Sequence, residues 1–306
     1  MNKWGILFNP KASAGKAFQS KNYVFELLKE NKIEYDSYFT EYEGHGIFIV
    51  KEMIEKGIRK FISVGGDGTL NELVNGIMKS GKNSEDFLIS HIPIGTGNDF
   101  GKTLGMDENI EKIIKTIKEE KYKLIDIGYL NCFNEDEKNI ERYFINIAGL
   151  GYDAVVVDAI NKIKRKGKGS KIYYLLLTVK QLFGYKDTKV KITVDEKEIN
   201  CDLFSLCVGN GRYNGSGMMQ VPKAILDDGL FDLTIINKIG KLDIIRSIKR
   251  MYNGTLLEHK KIDFIRGKKV NVKSFPKILV EADGENIGFT EANFEIIPKK
   301  LKIVVN

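Results

Sequence analysis

Residues 61–77, FISVGGDGTLNELVNGI, set an apolar run against Gly65, Gly66, Asp67, Gly68 and Thr69, and a helical pattern follows at once. Glycine lets a backbone take positive φ and lets a ligand approach with no Cβ in the way. The N–H groups of a helix start then face a phosphate, and the helix dipole favours its charge. Asp67 does not suit a bare phosphate. It suits ribose hydroxyls, a water held on Mg²⁺, or the cap of a tight turn from strand to helix. Two more loops share this character. Asn9-Pro10-Lys11-Ala12-Ser13-Ala14-Gly15-Lys16 reads as phosphate-facing N–H groups or as a simple turn with its cap; it is not a P-loop, since Pro10 takes a glycine position and Ala17 replaces the hydroxyl. Pro93-Ile94-Gly95-Thr96-Gly97-Asn98-Asp99 offers small residues and donors, but Gly101 falls one residue late for a dinucleotide fingerprint.

The second half of the chain holds carboxylates at turns. Asp283-Gly284 lies between apolar runs and is a hairpin signal, which makes Glu285 a turn residue by pattern. A carboxylate at such a tip can also serve as a base if it is brought beside a reacting hydroxyl. Asp227, Asp228 and Asp232 read as solvated acids of a turn or as oxygen ligands for Mg²⁺. Met218-Met219 and Tyr173–Leu177 are candidates for an apolar cleft or for core.

The elements that must position these loops follow from periodicity. Strands are expected at 4–9, Tyr35–Thr40, Lys60–Val64 and Ser90–Ile94, with helices at Lys16–Glu30, His45–Glu55, Leu70–Met78 and Asn109–Lys118. Repeated βα units of this size predict a doubly wound parallel sheet, outside whose carboxyl strand ends ligands bind. From about residue 129 strands dominate: Arg142–Ala148, Thr188–Val194, Leu203–Val208, Leu230–Ile236, Lys269–Val272, Ile278–Glu281 and Phe294–Ile297, with helices at Ala154–Lys164, Lys171–Leu182 and Lys241–Met251. Their spacing predicts an antiparallel sandwich. The expected division is 1–128 and 129–306, a change of pattern near Gly128 with no linker.

Composition narrows the function classes. No apolar run approaches the ~18–20 residues that span a bilayer, and the first residues contain no extended apolar segment of a signal peptide. Three cysteines without a C-x-x-C pair and three scattered histidines argue against a disulfide framework and a zinc site, and predict a cytoplasmic setting. The net charge of +7 favours an acidic partner, and residues 162–171, KIKRKGKGSK, hold six basic residues and no acid. That run reads as a solvated loop or as a patch on an anionic membrane surface.

Taken in order, FNPKASAGK, SVGGDGTLNELVNGI, PIGTGNDFGKTLG, IDIG, FINIAGLGYDA, GNGRYNGSGMMQVPKAILDDGLFDLTII and EADGE resemble the diacylglycerol kinase catalytic family along nearly the whole chain. GGDGT alone is shared with NAD kinases and phosphofructokinases; the ordered set is specific. The resemblance implies a nucleotide-binding α/β domain, a lipid-binding β-sandwich domain and an active site between them, with the last residues packing back on the first domain. It implies ATP contacts at Asn9, Pro10, Lys11, Ala12, Ser13, Ala14, Gly15, Thr40, Gly65, Gly66, Asp67, Gly68, Thr69, Leu70, Asn71, Glu72, Thr96, Gly97 and Asn98. Glu285 is the implied base and Asp67 its catalytic companion. Asp228, with carbonyls at Ile225 and Leu230, is the implied structural Mg²⁺ site. Ala282 stands where many members have leucine, which leaves the lipid open. The expected activity is transfer of the γ-phosphate of ATP to diacylglycerol or a related lipid, with Mg²⁺, at the inner face of a membrane and without nucleic acid. A homodimer stays open. The rivals are an NAD kinase-like enzyme with a soluble acceptor and a nucleotide or lipid sensor without catalysis. The second is disfavoured because a binder needs no base.

Overall fold

The computed structural model describes residues 3–164 and 171–305. Most of the basic run 162–171, and the side chains of Tyr173 and Tyr174, therefore lie outside the described residues.

The first unit alternates β1 (Trp4–Phe8), α1 (Lys16–Glu30), β2 (Tyr35–Phe39), α2 (His45–Glu55), β3 (Lys60–Gly65), α3 (Asp67–Met78), β4 (Leu88–Pro93), α4 (Asp99–Leu104) and α5 (Ile110–Glu119). β1 pairs in parallel with β2 and β3, and β3 with β4, which gives the order β2-β1-β3-β4. Every residue of β1 is buried because helices cover both faces of the sheet. Alternate side chains feed opposite layers. Leu7, Phe61 and Ile89 join the core with Val50 of α2 and Leu73 of α3, whereas Ile6, Phe8, Ile62 and Ile92 join that with Val24 of α1 and Ile114 of α5. The chain leaves β1 toward one edge of the sheet and β3 toward the other. The gap between their carboxyl ends is thus the switch point where open α/β sheets bind ligands.

The second unit follows with β5 (Tyr122–Phe133), β6 (Asn139–Phe144), β7 (Ile147–Gly151), α6 (Tyr152–Lys164), α7 (Lys171–Gly184), β8 (Thr188–Val194), β9 (Lys197–Gly209), β10 (Phe231–Asn237), α8 (Lys241–Asn253), β11 (Ile262–Gly267), β12 (Lys269–Ser274), β13 (Leu279–Ala282) and β14 (Glu285–Val304). β8, β9, β7, β13, β14 and β12 pair antiparallel in a ring that returns to β8, while β6 and β11 remain as outer strands beside it. Leu150, Leu206, Leu233, Val272 and Phe294 lie in its core. Within the ring itself closure leaves no unpaired strand edge.

Three differences from expectation bear on the site. The helix expected from Leu70 begins at Asp67 with Gly66 at its N-cap, so the GGDGT residues form the helix start itself. The strand expected at 142–148 is two strands, because Ile145 and Asn146 turn the chain between β6 and β7. The division expected at Gly128 falls inside β5, which runs antiparallel to β14 from Tyr122 opposite Val304 to Phe133 opposite Phe289. This ribbon serves both units. The end of β14 also pairs in parallel with β4, Lys302 opposite Leu88 and Ile303 opposite Ile89. Among the described residues no helix is long and apolar enough to cross a membrane.

Candidate active site

Three loops meet at the switch point. After β1, Ser13, Ala14 and Gly15 take left-handed φ of 53°, 55° and 89° just before α1. Two of them carry a Cβ, and such strain, of order 1–3 kcal/mol each, is held mainly at ligand clamps and turns. Asn9 ties this loop to the next by donating from Nδ2 to Thr69 Oγ1 at 3.2 Å, and its Oδ1 accepts from Lys11 N at 3.0 Å. The second and third loops touch backbone to backbone. A Cβ on Gly66 would stand 3.3 Å from the Cα of Gly95, and a Cβ on Gly95 would stand 2.6 Å from the Cα of Gly66. Glycine at both positions is what lets the GGDGT and GTGND loops close on each other. Asn98 holds its own loop in shape, accepting from Gly95 N at 2.8 Å, and Thr96 is exposed at its tip.

The sequence-expected residues divide by what their side chains do. Asp67 accepts from Asp99 N at 3.1 Å and Phe100 N at 3.0 Å, so its carboxylate caps α4 and joins the two glycine loops. Thr40 is buried, and its N–H donates to Phe8 O at 2.9 Å beside the first loop. Three residues expected to contact ATP turn inward. Leu70 is fully buried in the core. Asn71 donates to Tyr143 O at 3.0 Å and to Asp283 Oδ2 at 2.7 Å, which binds the two units together. Glu72 accepts from Gly44 N at 2.8 Å and Gly46 N at 2.7 Å, and so caps α2. A helix start offers a ligand its N–H groups, whereas the side chains of its next residues serve packing.

Across the cleft, Asp283 and Gly284 take left-handed φ of 48° and 80° in the two-residue turn between β13 and β14. That is the turn an Asp-Gly pair favours. The Asp283 carboxylate is half-buried and accepts from Ile145 N at 2.9 Å, Asn146 N at 3.0 Å, Ile147 N at 3.2 Å and Asn71 Nδ2 at 2.7 Å. It satisfies the N–H groups freed by the break between β6 and β7. Asn161 of α6 donates to Gly284 O at 2.9 Å, and Glu281 Oε2 accepts from Gly284 N at 2.9 Å. Burial pushes the Glu281 carboxyl well up and also raises Asp153 beside it. Two buried carboxyls in contact share a proton in preference to ionising together.

This scaffold delivers Glu285 to the start of α3. Its Oε1 lies 3.9 Å from the place a Cβ on Gly68 would occupy. Burial pushes its pKa up to about 7, against the pull of the Arg142 guanidinium, while Glu72, Glu43 and Asp283 push it further up. Arg142 is largely buried and pairs directly with Glu285 Oε2. The sequence reading missed Arg142, because a basic residue in NIERYF looks like the solvent side of a strand, and only the facing Glu285 gives it a role. It also missed Asp99, whose carboxylate accepts from Ser216 N at 2.8 Å and Gly217 N at 2.7 Å and so binds the glycine loop of the second unit. An acid inside a loop of small residues was the signal available.

At the expected Mg²⁺ site the charge of Asp228 is already paired within the chain. Asp228 accepts at Oδ2 from Arg266 and at Oδ1 from Leu230 N at 3.2 Å, and Arg266 also holds the buried Asp232 at 3.0 Å. A guanidinium already supplies the positive charge that a metal would bring. Asp126, in IDIG, shapes the turn by accepting from Gly229 N at 2.6 Å and Lys299 N at 2.7 Å. Among the described residues there is no group of three or more His, Cys, Asp or Glu side chains placed to hold a metal ion.

Residues 3–130 match the family model of the diacylglycerol kinase catalytic domain, and residues 146–305 that of the YegS C-terminal NAD kinase beta sandwich-like domain. A Staphylococcus carnosus (strain TM300) protein named diacylglycerol kinase is 29% identical over 300 residues, 97% of this chain and 93% of that protein. A Staphylococcus aureus (strain JH9) protein of the same name is 28% identical over 291 residues, 94% of this chain and 88% of that one. A crystal structure of a diacylglycerol kinase from Bacillus anthracis str. Sterne superposes with a TM-score of 0.73 at 22% identity, covering 100% of this chain and 97% of that one. Yeast NADH kinase complexed with NADH shares the fold at a TM-score of 0.55 and 10% identity, over 99% of this chain and 83% of that one.

Proposed function

The chain belongs to the diacylglycerol kinase catalytic family, and we propose that its cleft transfers the γ-phosphate of ATP to the free hydroxyl of diacylglycerol or a related lipid, with Glu285 as the base. The observation that carries this reading is the position of Glu285 Oε1 beside Gly68, at the N-terminus of α3. In this reading residues 1–128 bind ATP and 129–306 bind the lipid, with 302–303 returning to the first sheet.

Phosphoryl transfer asks the protein for position and charge compensation. The loops at Asn9–Gly15, Gly65–Thr69 and Thr96–Asn98 give backbone N–H groups to the phosphates, and Thr40 closes the nucleotide side. Glu285 takes the hydroxyl proton as the lipid oxygen bonds to the γ-phosphorus. The bond from that phosphorus to the bridging oxygen breaks, and ADP leaves with its electron pair. Arg142 keeps Glu285 on its target and faces the negative charge that gathers there. Mg²⁺ travels with ATP as part of the substrate, and Asp67 is the carboxylate of these loops that would hold its water. No step involves a metal at Asp228.

The lipid is met at an anionic membrane surface on the cytoplasmic side, in keeping with the charge of +7. Every group named comes from one chain, so the reading needs no homodimer. The test is transfer of radiolabelled γ-phosphate from ATP into diacylglycerol in detergent micelles. Glu285→Gln should lower kcat by ~10²–10⁴-fold and leave the KM for ATP unchanged. Equal labelling by both proteins would remove Glu285 as base. Label in NAD⁺ but not in lipid would turn the reading toward the NAD kinase-like rival.

A further inference from the structure

We propose that α8 is the element that lies on the membrane, with its outer face in the headgroup region of an anionic bilayer. This rests on the lipid kinase reading and names the surface through which that site meets its substrate. Helices on a soluble fold keep their apolar residues inward; α8 has such a stripe in the half-buried Ile244, Ile248 and Met251, but it carries further apolar residues on its outer side. Its buried position is Ser247, while Leu242 is 67% exposed, Ile245 39% and Tyr252 55%. Leu242, Ile245, Lys249 and Tyr252 follow at i, i+3, i+7 and i+10, so they share one side of the helix. An aromatic ring with a polar tip suits the boundary of water and lipid.

The charge of the helix selects the occupant. Within α8, Lys241, Arg246, Lys249 and Arg250 stand against one acid, Asp243, which pairs with Arg246 at 3.6 Å, and Arg250 pairs with Glu258 beyond the helix at 3.3 Å. Long basic side chains lay their stems on apolar surface and reach phosphate headgroups with their ends. An interfacial helix has this composition, a polar and basic side beside Leu, Ile and an aromatic residue. The surface continues on α7, where Leu176 is 62% and Phe183 59% exposed, seven residues apart and so on one side. Lys241 Nζ donates to Phe183 O and joins the two helices.

The same helix is fastened to the active site. Met251 O, in its last turn, accepts from Met219 N at 2.5 Å. The loop that holds Met219 carries Ser216 and Gly217, whose N–H groups are held by Asp99 of the nucleotide side. Seating α8 on a bilayer would therefore bring the mouth of the cleft to the lipid surface.

The experiment is sedimentation of the full chain with vesicles of phosphatidylcholine alone and with phosphatidylglycerol added, for wild type and for Leu242→Ser/Ile245→Ser. Both changes sit on exposed positions, and circular dichroism checks that the variant folds. Wild type should bind the anionic vesicles and release them at high salt, and the double variant should bind at least ~30-fold more weakly. Its kinase activity should fall in parallel on diacylglycerol in vesicles and stay unchanged on a short-chain diacylglycerol dissolved as monomer. Equal binding by variant and wild type, or no binding by wild type, would overturn the proposal. So would a wild-type dimer that the double variant abolishes without change in vesicle binding, since a second copy would then cover this face. Vesicle binding that depends on α8, with no phosphate transfer to either form of lipid, would keep the membrane face and remove the lipid kinase reading.

Discussion

The two sides of the cleft reach precision by opposite means. On the nucleotide side the loops approach because side chains are missing: Gly66 and Gly95 leave no room for a Cβ between their backbones. On the lipid side the turn is held by a side chain that is present, the carboxylate of Asp283 with its four donors. Two residues on, Glu285 has one guanidinium partner and a pKa near 7. The contrast teaches that a carboxylate surrounded by N–H groups builds structure, whereas one left short of donors is available for chemistry.

The largest effect should come from the lipid side. Asp283→Ala leaves the buried N–H groups of Ile145, Asn146 and Ile147 without their acceptor at ~1–3 kcal/mol each. Urea unfolding should show a loss of about 3–5 kcal/mol, with phosphate transfer abolished. A loss below ~1 kcal/mol would mean that the turn does not depend on that carboxylate. A smaller effect belongs to the nucleotide side. Gly95→Ala places a Cβ 2.6 Å from the Gly66 Cα, so the two loops must part. The expected cost is ~1–3 kcal/mol, with a rise in the KM for ATP and little change in lipid binding. An unchanged KM for ATP would break the claim that loop contact shapes the nucleotide site.

The two sides also differ in how much their sequences disclose. Glycines after apolar runs are legible, because a strand, then residues without Cβ, then helical spacing is the pattern of a βα unit whose loop admits a ligand. The parallel sheet and its three loops were read that way. Asp283-Gly284-Glu285 was legible as a hairpin, and as a base only through the family resemblance, since a turn pattern does not say what the turn faces. Arg142 was illegible, because its partner lies 143 residues away. The β5–β14 ribbon was also missed. β5 is buried without alternation over residues 125–128, and β14 alternates over 288–296 but breaks at 298–300, where the ribbon crosses from one core to the other. Leu70, Asn71 and Glu72 were expected at the ligand only through the family resemblance, and a helix turns successive side chains to different sides.

The account stands or falls on Glu285 acting as a base with a raised pKa. The most direct test is the pH dependence of kcat/KM for the lipid, in wild type and in Arg142→Gln. Burial disfavours the charged carboxylate, and a base works only when charged, so activity must be lost as pH falls through that pKa. Wild type should rise tenfold per pH unit and level off above about 7, and the bend should move to higher pH when the guanidinium that favours the charged form is removed. A profile that stays flat from about pH 5 to pH 8, or a bend that does not move in Arg142→Gln, would contradict the account.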